Sequence, residues 1–119
     1  MYYGSRIVSP PDSEPAMILT VFRSRLKSDA NPDYAEWATR MSALAKTMPG
    51  YVSHKGFVAE DGERVTIVEF ESEAAMRAWS QHPDHVAAKS KGRASFYSEY
   101  SIQTCQVLRG HAFKDSAAS

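Results

Sequence analysis

The stretch M-I-L-T-V-F-R-S-R-L, residues 17–26, decides the architecture that this sequence predicts, because branched and aromatic residues between turn formers are typical of a β-strand. Side chains alternate along a strand, so Leu19 and Val21 lie on one face of the sheet. Ile18 and Phe22 lie on the other face. A sheet with two apolar faces in a chain of 119 residues needs helices on one face and a second cover on the other. We expect that cover to be a second copy of the chain, which predicts a homodimer.

The rest of the chain predicts the order strand, helix, strand, strand, broken helix, strand. The predicted segments are a strand at residues 17–26, a helix at 32–48 capped by Asn31, strands at 51–59 and 64–70, helical segments opened by Ser72 and Pro83, and a strand at 97–108. In the first helix, Tyr34, Trp37 and Met41 belong to one apolar stripe, which we assign to the core. Gly92 is expected to end the second helical segment. This order predicts an α+β fold of the ferredoxin-like, split βαβ type, with a four-stranded antiparallel sheet and the helices on one face.

The composition predicts one folded domain with flexible ends. Residues 1–15 combine three prolines with serine and acidic residues, which predicts a flexible arm. Residues 16–109 form the predicted domain, and residues 110–119 are a predicted flexible tail. The 14 basic and 14 acidic residues balance, which argues against nucleic acid or an anionic membrane as the partner.

The N-terminal sequence and the cysteine count bear on location. Cys105 is the one cysteine of the sequence, which excludes an intrachain disulfide and favours a reducing compartment. Residues 1–12 lack the apolar core of a signal peptide, and no apolar run approaches the length of a membrane span. We therefore expect a cytoplasmic protein.

A second stretch, A-W-S-Q-H-P-D-H-V-A-A-K-S-K-G-R-A-S-F-Y-S-E-Y at residues 78–100, concentrates aromatic and titratable side chains. Trp, Tyr and His each combine an apolar body with a polar tip, which suits the wall of a half-wet pocket. We expect this pocket between the sheet and the helices, with Trp79 on its wall. The alternative is that Trp79 and Phe96 are core residues, while the histidines and Arg93 lie in solvent.

These segments share a set of motifs with a known family. The matching residues are Met48-Pro49-Gly50-Tyr51, the strand at 65–70 with Glu71-Ser72-Glu73-Ala74 after it, Ala78-Trp79, His82-Pro83-x-His85, Gly92-Arg93, Phe96-Tyr97 and Tyr100. Over residues 16–109 the chain resembles the antibiotic biosynthesis monooxygenase family of dimeric α+β barrels. The resemblance implies a homodimer that oxidises a small aromatic, phenolic or quinol-type molecule with O2. It does not single out one reaction, because one fold hosts many functions.

In a cofactor-independent oxygenase the deprotonated substrate reduces O2, so the protein supplies a base, donors to the oxyanion and a dry pocket. His85, His82 and His54 are the candidate catalytic bases, because histidine titrates near pH 7. His85 is the first choice, since its side chain is expected to point back toward Trp79. The candidate substrate-binding residues are Trp79, Arg93, Tyr97, Tyr100 and Phe22. Each of two residues also has an alternative structural role. His82 can cap the helix that Pro83 opens, and Arg93 can bind the carbonyl groups at the end of the same helix.

Two other functions stay open. The sequence contains neither a Gly-rich dinucleotide loop nor a third metal ligand near His82 and His85, so we expect no cofactor and no metal. Heme binding and degradation is the alternative, since Trp79 is similar to the pocket Trp of heme-degrading family members. Lys89, however, stands in place of their His ligand, and Phe22 in place of a strand Asn. The third possibility is a non-catalytic dimeric module that binds a small ligand.

Overall fold

The computed structural model describes residues 17–28 and 33–115, which form four strands, three α-helices and a π-helical turn. In chain order these are β1 (Ile18–Leu26), α1 (Tyr34–Thr47), β2 (Tyr51–Val58), β3 (Arg64–Phe70), α2 (Glu73–Ser80), α3 (Pro83–Lys91), the π-helical turn (Gly92–Phe96) and β4 (Tyr97–Gln106). The predicted order of elements is confirmed. The last strand stops at Gln106 rather than at residue 108, because its pairing with β1 ends opposite Ile18.

The four strands form one antiparallel sheet in the order β2-β3-β1-β4. This strand order and the helices between the strands are those of the split βαβ arrangement, so the predicted α+β, ferredoxin-like fold is confirmed. The hairpin between β2 and β3 turns at Gly62, whose φ of 91° favours glycine. Arg23 of β1 holds this hairpin, because its guanidinium binds both carboxylate oxygens of Glu63 at 2.8 and 3.0 Å.

The two faces of β1 meet different surroundings, as the alternation predicts. Ile18, Thr20 and Ser24 are buried on the face that the helices cover, where the Thr20 hydroxyl lies 3.3 Å from the sulfur of Met76 in α2. Leu19 and Val21 lie on the opposite face, which we call the open sheet face. Their cross-strand neighbours there include Ile67 and Cys105, and the face also carries Val65 and Phe57.

The core lies between β1, β3 and the first two helices. It consists of Ile18, Ala45, Val68, Phe70, Met76 and Trp79. Gly50 allows the turn between α1 and β2 to approach α2, because its φ is 85° and an added Cβ would lie 2.8 Å from the Cβ of Ala75. A side chain at Gly50 would therefore clash with Ala75.

α3 ends at Lys91 with Gly92 as its C-cap, as predicted, but Gly92 does not adopt the left-handed conformation that is common for a glycine after a helix. Its φ of −60° and ψ of −48° are helical, and the chain continues from it into the π-helical turn. A Cβ at Gly92 would lie 2.6 Å from the ring of Tyr97. The glycine is needed because the Tyr97 ring packs directly on the backbone there.

The chain ends are described only in part. The predicted arm, residues 1–15, lies outside the described residues, as do residues 116–119 of the predicted tail. Residues 110–115 are exposed and have no regular secondary structure. None of the helices in the described part of the chain is long and apolar enough to cross a membrane.

Candidate functional site

A cavity of about 450 Å³ lies between the helix-covered face of the sheet and helices α1, α2 and α3. Its position agrees with the pocket that the sequence predicts. Aromatic side chains make up much of its lining: Phe22, Tyr34, Trp37, Trp79, Phe96, Tyr97 and Tyr100. An aromatic, largely apolar cavity of this size fits a small aromatic molecule.

Trp79 lies between two histidines at one end of the cavity. The ring centroid of His85 is 4.3 Å from that of Trp79, with an interplanar angle of 70°. His54 of β2 approaches the indole from the sheet side, at 6.0 Å and 88°. Three elements, β2, α2 and α3, therefore bring these side chains together.

Short helices with well-defined starts set this geometry. The Ser72 hydroxyl accepts a hydrogen bond from the backbone N–H of Ala75 at 3.1 Å and so caps α2, which presents Trp79 to the core. The Nδ1 atom of His82 accepts from the backbone N–H of Asp84 at 3.1 Å and caps α3. His85 follows in the first turn of α3 and faces Trp79.

Two buried polar atoms at this end of the cavity have no hydrogen-bond partner among the described residues. They are the indole nitrogen Nε1 of Trp79 and Nδ1 of His85. A buried polar atom without a partner destabilises the fold by about 1–3 kcal/mol, so these two atoms are a feature of this end of the cavity that the packing of the core does not explain. The indole N–H is a donor, and a neutral imidazole offers one donor and one acceptor.

Burial sets the protonation of the histidines. Desolvation, reinforced by the nearby charge of Lys89 and by His54, lowers the pKa of His85 from 6.5 to about 4. Burial also lowers the pKa of His54. His85 is therefore neutral at pH 7, whereas a histidine with the ordinary pKa of 6.5 would be about one-quarter protonated.

Tyr97 and its neighbours form the opposite wall. The Phe22 ring lies 5.5 Å from Tyr97 and 5.6 Å from Tyr100, centroid to centroid. Burial raises the pKa of Tyr97, with Tyr34 as the next cause, so the Tyr97 phenol stays protonated and able to donate. This wall supplies edge-to-face contacts for a flat ring.

The cavity brings together six of the eight site residues predicted from the sequence: His85, His54, Trp79, Tyr97, Tyr100 and Phe22. His82 caps α3, as its alternative role requires, and does not line the cavity. Arg93 is exposed in the π-helical turn and does not line it either. No group of three His, Cys, Asp or Glu within the described ranges is placed to hold a metal ion.

The sequence analysis missed several lining residues. Tyr34, Trp37 and Met41 were assigned to the core, but they are half-buried and line the cavity, so that assignment was wrong. Helical spacing identifies the face of α1 that turns inward, and it carries no information about an empty space beneath that face. Ser80 and Lys89 also line the cavity, and their polar side chains resembled ordinary surface residues in the sequence.

With this geometry in place, similarity to known proteins assigns the chain. Residues 17–91 match the family model for antibiotic biosynthesis monooxygenases. The chain belongs to the antibiotic biosynthesis monooxygenase family. It is 33% identical over 103 residues to YqjZ, an uncharacterized protein of Bacillus subtilis (strain 168), and this match covers 87% of the chain and 90% of YqjZ.

Solved structures of low identity share the fold. Rv0793 from Mycobacterium tuberculosis superposes with a TM-score of 0.73 at 14% identity, covering 82% of this chain and 100% of Rv0793. SnoaB, a cofactor-independent oxygenase from Streptomyces nogalater, superposes with a TM-score of 0.62 at 22% identity, covering 80% of this chain and 99% of SnoaB. At these identities the superpositions establish the common fold.

The lowered pKa of His85 predicts a pH-dependent stability. Between about pH 6.5 and pH 4 the unfolded chain binds a proton at His85 while the folded chain does not. The free energy of unfolding is therefore expected to be at its full value above pH 6.5 and to fall as the pH drops, by about 2–3 kcal/mol from this group. Urea titrations of the wild type and His85→Gln across this range measure the effect.

The control for this experiment is His111→Gln, because His111 is exposed in the tail. Other titrating groups act equally in all three proteins, so the difference between wild type and variant isolates His85. The slope should be shallower in His85→Gln and unchanged in His111→Gln. Parallel curves for all three proteins would show that His85 titrates normally in the folded chain.

Proposed function

We propose that this protein is a cofactor-independent monooxygenase that oxidises a small phenolic or quinol-type aromatic molecule with O2 in the cavity. The observation that carries this proposal is the contact of neutral His85 with Trp79 at the end of an aromatic cavity, with one unpartnered polar atom on each residue. Membership of the monooxygenase family supports it. The catalytic roles that follow are part of the proposal.

The reaction needs no electrons from the protein when the substrate is a phenol-conjugated methylene, as in an anthrone. A base removes one proton, and the resulting electron-rich anion reduces O2 and forms a carbon–oxygen bond. Loss of the second carbon-bound hydrogen and cleavage of the O–O bond leave a new carbonyl and release water. One oxygen atom of O2 thus enters the product, the other forms the water, and the substrate carbon supplies all the electrons.

His85 is assigned as the base and the Trp79 N–H as a donor to the oxyanion. The imidazole is neutral at pH 7 and can accept a proton, and aromatic side chains surround the place of the reacting ring. A pKa of about 4 makes His85 a weak base. Moving a proton to it from a phenol of pKa about 10 is uphill by roughly 8 kcal/mol, so the cavity must stabilise the oxyanion strongly.

Oxygen uptake tests this proposal. The purified protein is incubated with a panel of anthrones and naphthoquinols, and with hemin in a separate arm. Uptake above the spontaneous rate, with one oxygen atom of labelled O2 in the product, supports the monooxygenase. A shift of the hemin absorption band without quinol turnover would support the heme alternative. Ligand binding with no oxygen uptake in any arm would support a binding module.

We further propose that two copies pair through the open sheet face, which completes the dimeric α+β barrel that the family resemblance implies. Leu19, Val21, Ile67 and Phe57 are apolar residues on this face, and Phe57 is 47% exposed in the single chain. Apolar residues on a face without a helix are typical of a subunit interface. Interfaces of this kind bury on the order of 2,000 Å² or more.

Val21→Glu is expected to dissociate this dimer, because it buries a charge opposite Ile67 and Gln103 in the middle of the face. Sedimentation at micromolar concentration should give twice the chain mass of 13.2 kDa for the wild type and the single mass for the variant. Val86→Glu is the control, because Val86 is 51% exposed on α3 and lies outside both the open sheet face and the cavity. A monomeric wild type would contradict the proposal.

A further inference from the structure

Lys89 is the charged residue that lines the cavity, and no Asp or Glu lines it among the described residues. Its ammonium group donates a hydrogen bond to the Ser80 hydroxyl at 2.8 Å, which fixes its position at the junction of α2 and α3. An ammonium group has three N–H donors, so this bond leaves two for a ligand. Over the described ranges, no carboxylate lies within ion-pair distance of Lys89.

Three neighbouring cationic residues, in contrast, do not line the cavity. Arg64 places its guanidinium 5.5 Å from the centre of the Tyr34 ring and does not line the cavity. Arg93 is exposed, and Lys91 lies on α3 without reaching the cavity. Among the described residues, Lys89 is therefore the lysine or arginine in the lining of the cavity. It lies one helical turn after His85 and is near enough to lower the pKa of that residue.

A half-buried ammonium group without a counterion favours an anion strongly, because the low-dielectric walls weaken the screening by water. We infer that the cavity binds its aromatic ligand as an oxygen anion, with Lys89 as the residue that recognises the charge. The ligand class is an aromatic ring bearing a carboxylate or a phenolate. This inference rests on the proposed role of the cavity as the ligand site, and it adds the charge that the ligand carries.

A contact between Lys89 and the oxygen anion of the substrate would also stabilise the oxyanion that forms in the proposed reaction. A phenol that loses its proton to a weak base is stabilised when its oxygen anion pairs with an ammonium group. Lys89 thus acts on the substrate oxygen, and Ser80 acts through Lys89 as a positioning residue by holding the ammonium in place.

A matched pair of ligands tests the inference. Titration calorimetry with 2-naphthoate and with neutral 2-naphthamide compares an anion with a ligand of the same shape. Since hydrogen bonds to charged groups are the strong ones, we expect the wild type to bind naphthoate about tenfold more tightly or better. Lys89→Met should abolish this preference, Lys89→Arg should keep part of it, and Lys91→Met is the matched control on the same helix.

A phenol probe distinguishes the two kinds of anion. Absorbance of bound 2-naphthol reports its deprotonation, and the apparent pKa of the bound phenol should lie below its free value of about 10 in the wild type and not in Lys89→Met. A lowered pKa would identify phenolate as a ligand, whereas selective naphthoate binding with an unchanged naphthol pKa would identify the carboxylate. Either result supports recognition of an oxygen anion.

Several results would overturn it. Equal binding of naphthoate and naphthamide by the wild type would refute the role of Lys89 and leave the cavity as a ligand site. Binding of neither ligand would refute the cavity itself and, with it, the proposed function. If Lys89→Met does not fold, the affinity of the wild type for both ligands is measured at low and at high ionic strength. Salt should weaken the binding of naphthoate, because it screens an ionic contact, and should leave the binding of naphthamide unchanged. A preference for naphthoate that does not change with ionic strength would contradict an ionic contact.

Discussion

His85→Gln is expected to slow oxygen uptake by about 10²–10⁴-fold on any substrate that the wild type oxidises, because glutamine has similar bulk and cannot accept the proton. The ring of His85 lies 4.3 Å from that of Trp79 and lines the cavity, which places it beside a bound substrate. Initial rates by oxygen electrode, with circular dichroism to check the fold, measure the change.

The pH profile of the wild type provides a second readout of the same residue. The sequence predicts a rise in rate near the ordinary histidine pKa, whereas burial in the structure lowers the pKa of His85 to about 4. The rate should therefore rise as the pH increases through about 4 and stay flat between about pH 6 and 8. A rise centred near 6.5 would point to a histidine in contact with solvent.

His82→Gln is the matched control, because His82 caps α3 through Nδ1 and does not line the cavity. This variant should lose some stability with the cap and retain the turnover rate. If His85→Gln keeps full activity, His85 is not the base. His54 is then the next residue to replace, since it faces Trp79 from the sheet side at 6.0 Å.

Trp79→Ala is expected to lower the free energy of unfolding by about 3–5 kcal/mol, because it removes a large buried ring and leaves a cavity. Trp79 is 6% exposed and packs on Phe70 at 5.7 Å between ring centroids, in the centre of the core. The existing space beside it favours the lower end of this range, since the ring already lacks contacts on that side. Urea denaturation of the wild type and the variant gives the difference.

Two further variants separate packing from ligand binding. Trp79→Phe keeps most of the ring and removes the N–H, so it should retain most of the stability and weaken the binding of an oxygen-bearing ligand. Trp37→Ala should destabilise less than Trp79→Ala, because Trp37 is half-buried whereas Trp79 is 6% exposed. Unchanged stability and unchanged ligand binding in Trp79→Ala would contradict both roles of Trp79.

The location of the site was largely predictable, and its chemistry was only partly so. The spacing of His85 after the cap at His82 predicts a side chain that points back to Trp79, and the two rings are in contact. The protonation of His85 was not predictable, because its pKa depends on burial and on charged groups in both α3 and β2. Arg93 has the residue type of a ligand-binding group, yet it is exposed where the π-helical turn leaves the cavity.

The sequence by itself determined the elements and their order. Alternation in β1, the apolar stripe of α1, the Asp61-Gly62 turn and the caps at Ser72 and His82 are local signals, because each depends on residues within one or two turns of chain. Such signals act before distant parts of the chain meet. For this reason they sufficed to predict an α+β, ferredoxin-like fold and the family resemblance.

Only the tertiary structure decided that a cavity remains under α1, that Gly92 admits the Tyr97 ring and that Lys89 is held inside by Ser80. These features depend on how separate elements pack against one another, such as α2 against α3. A helical stripe looks the same whether it covers a filled core or a cavity, and a lysine looks the same whether it faces solvent or a ligand. Packing between elements, rather than local propensity, therefore created the site.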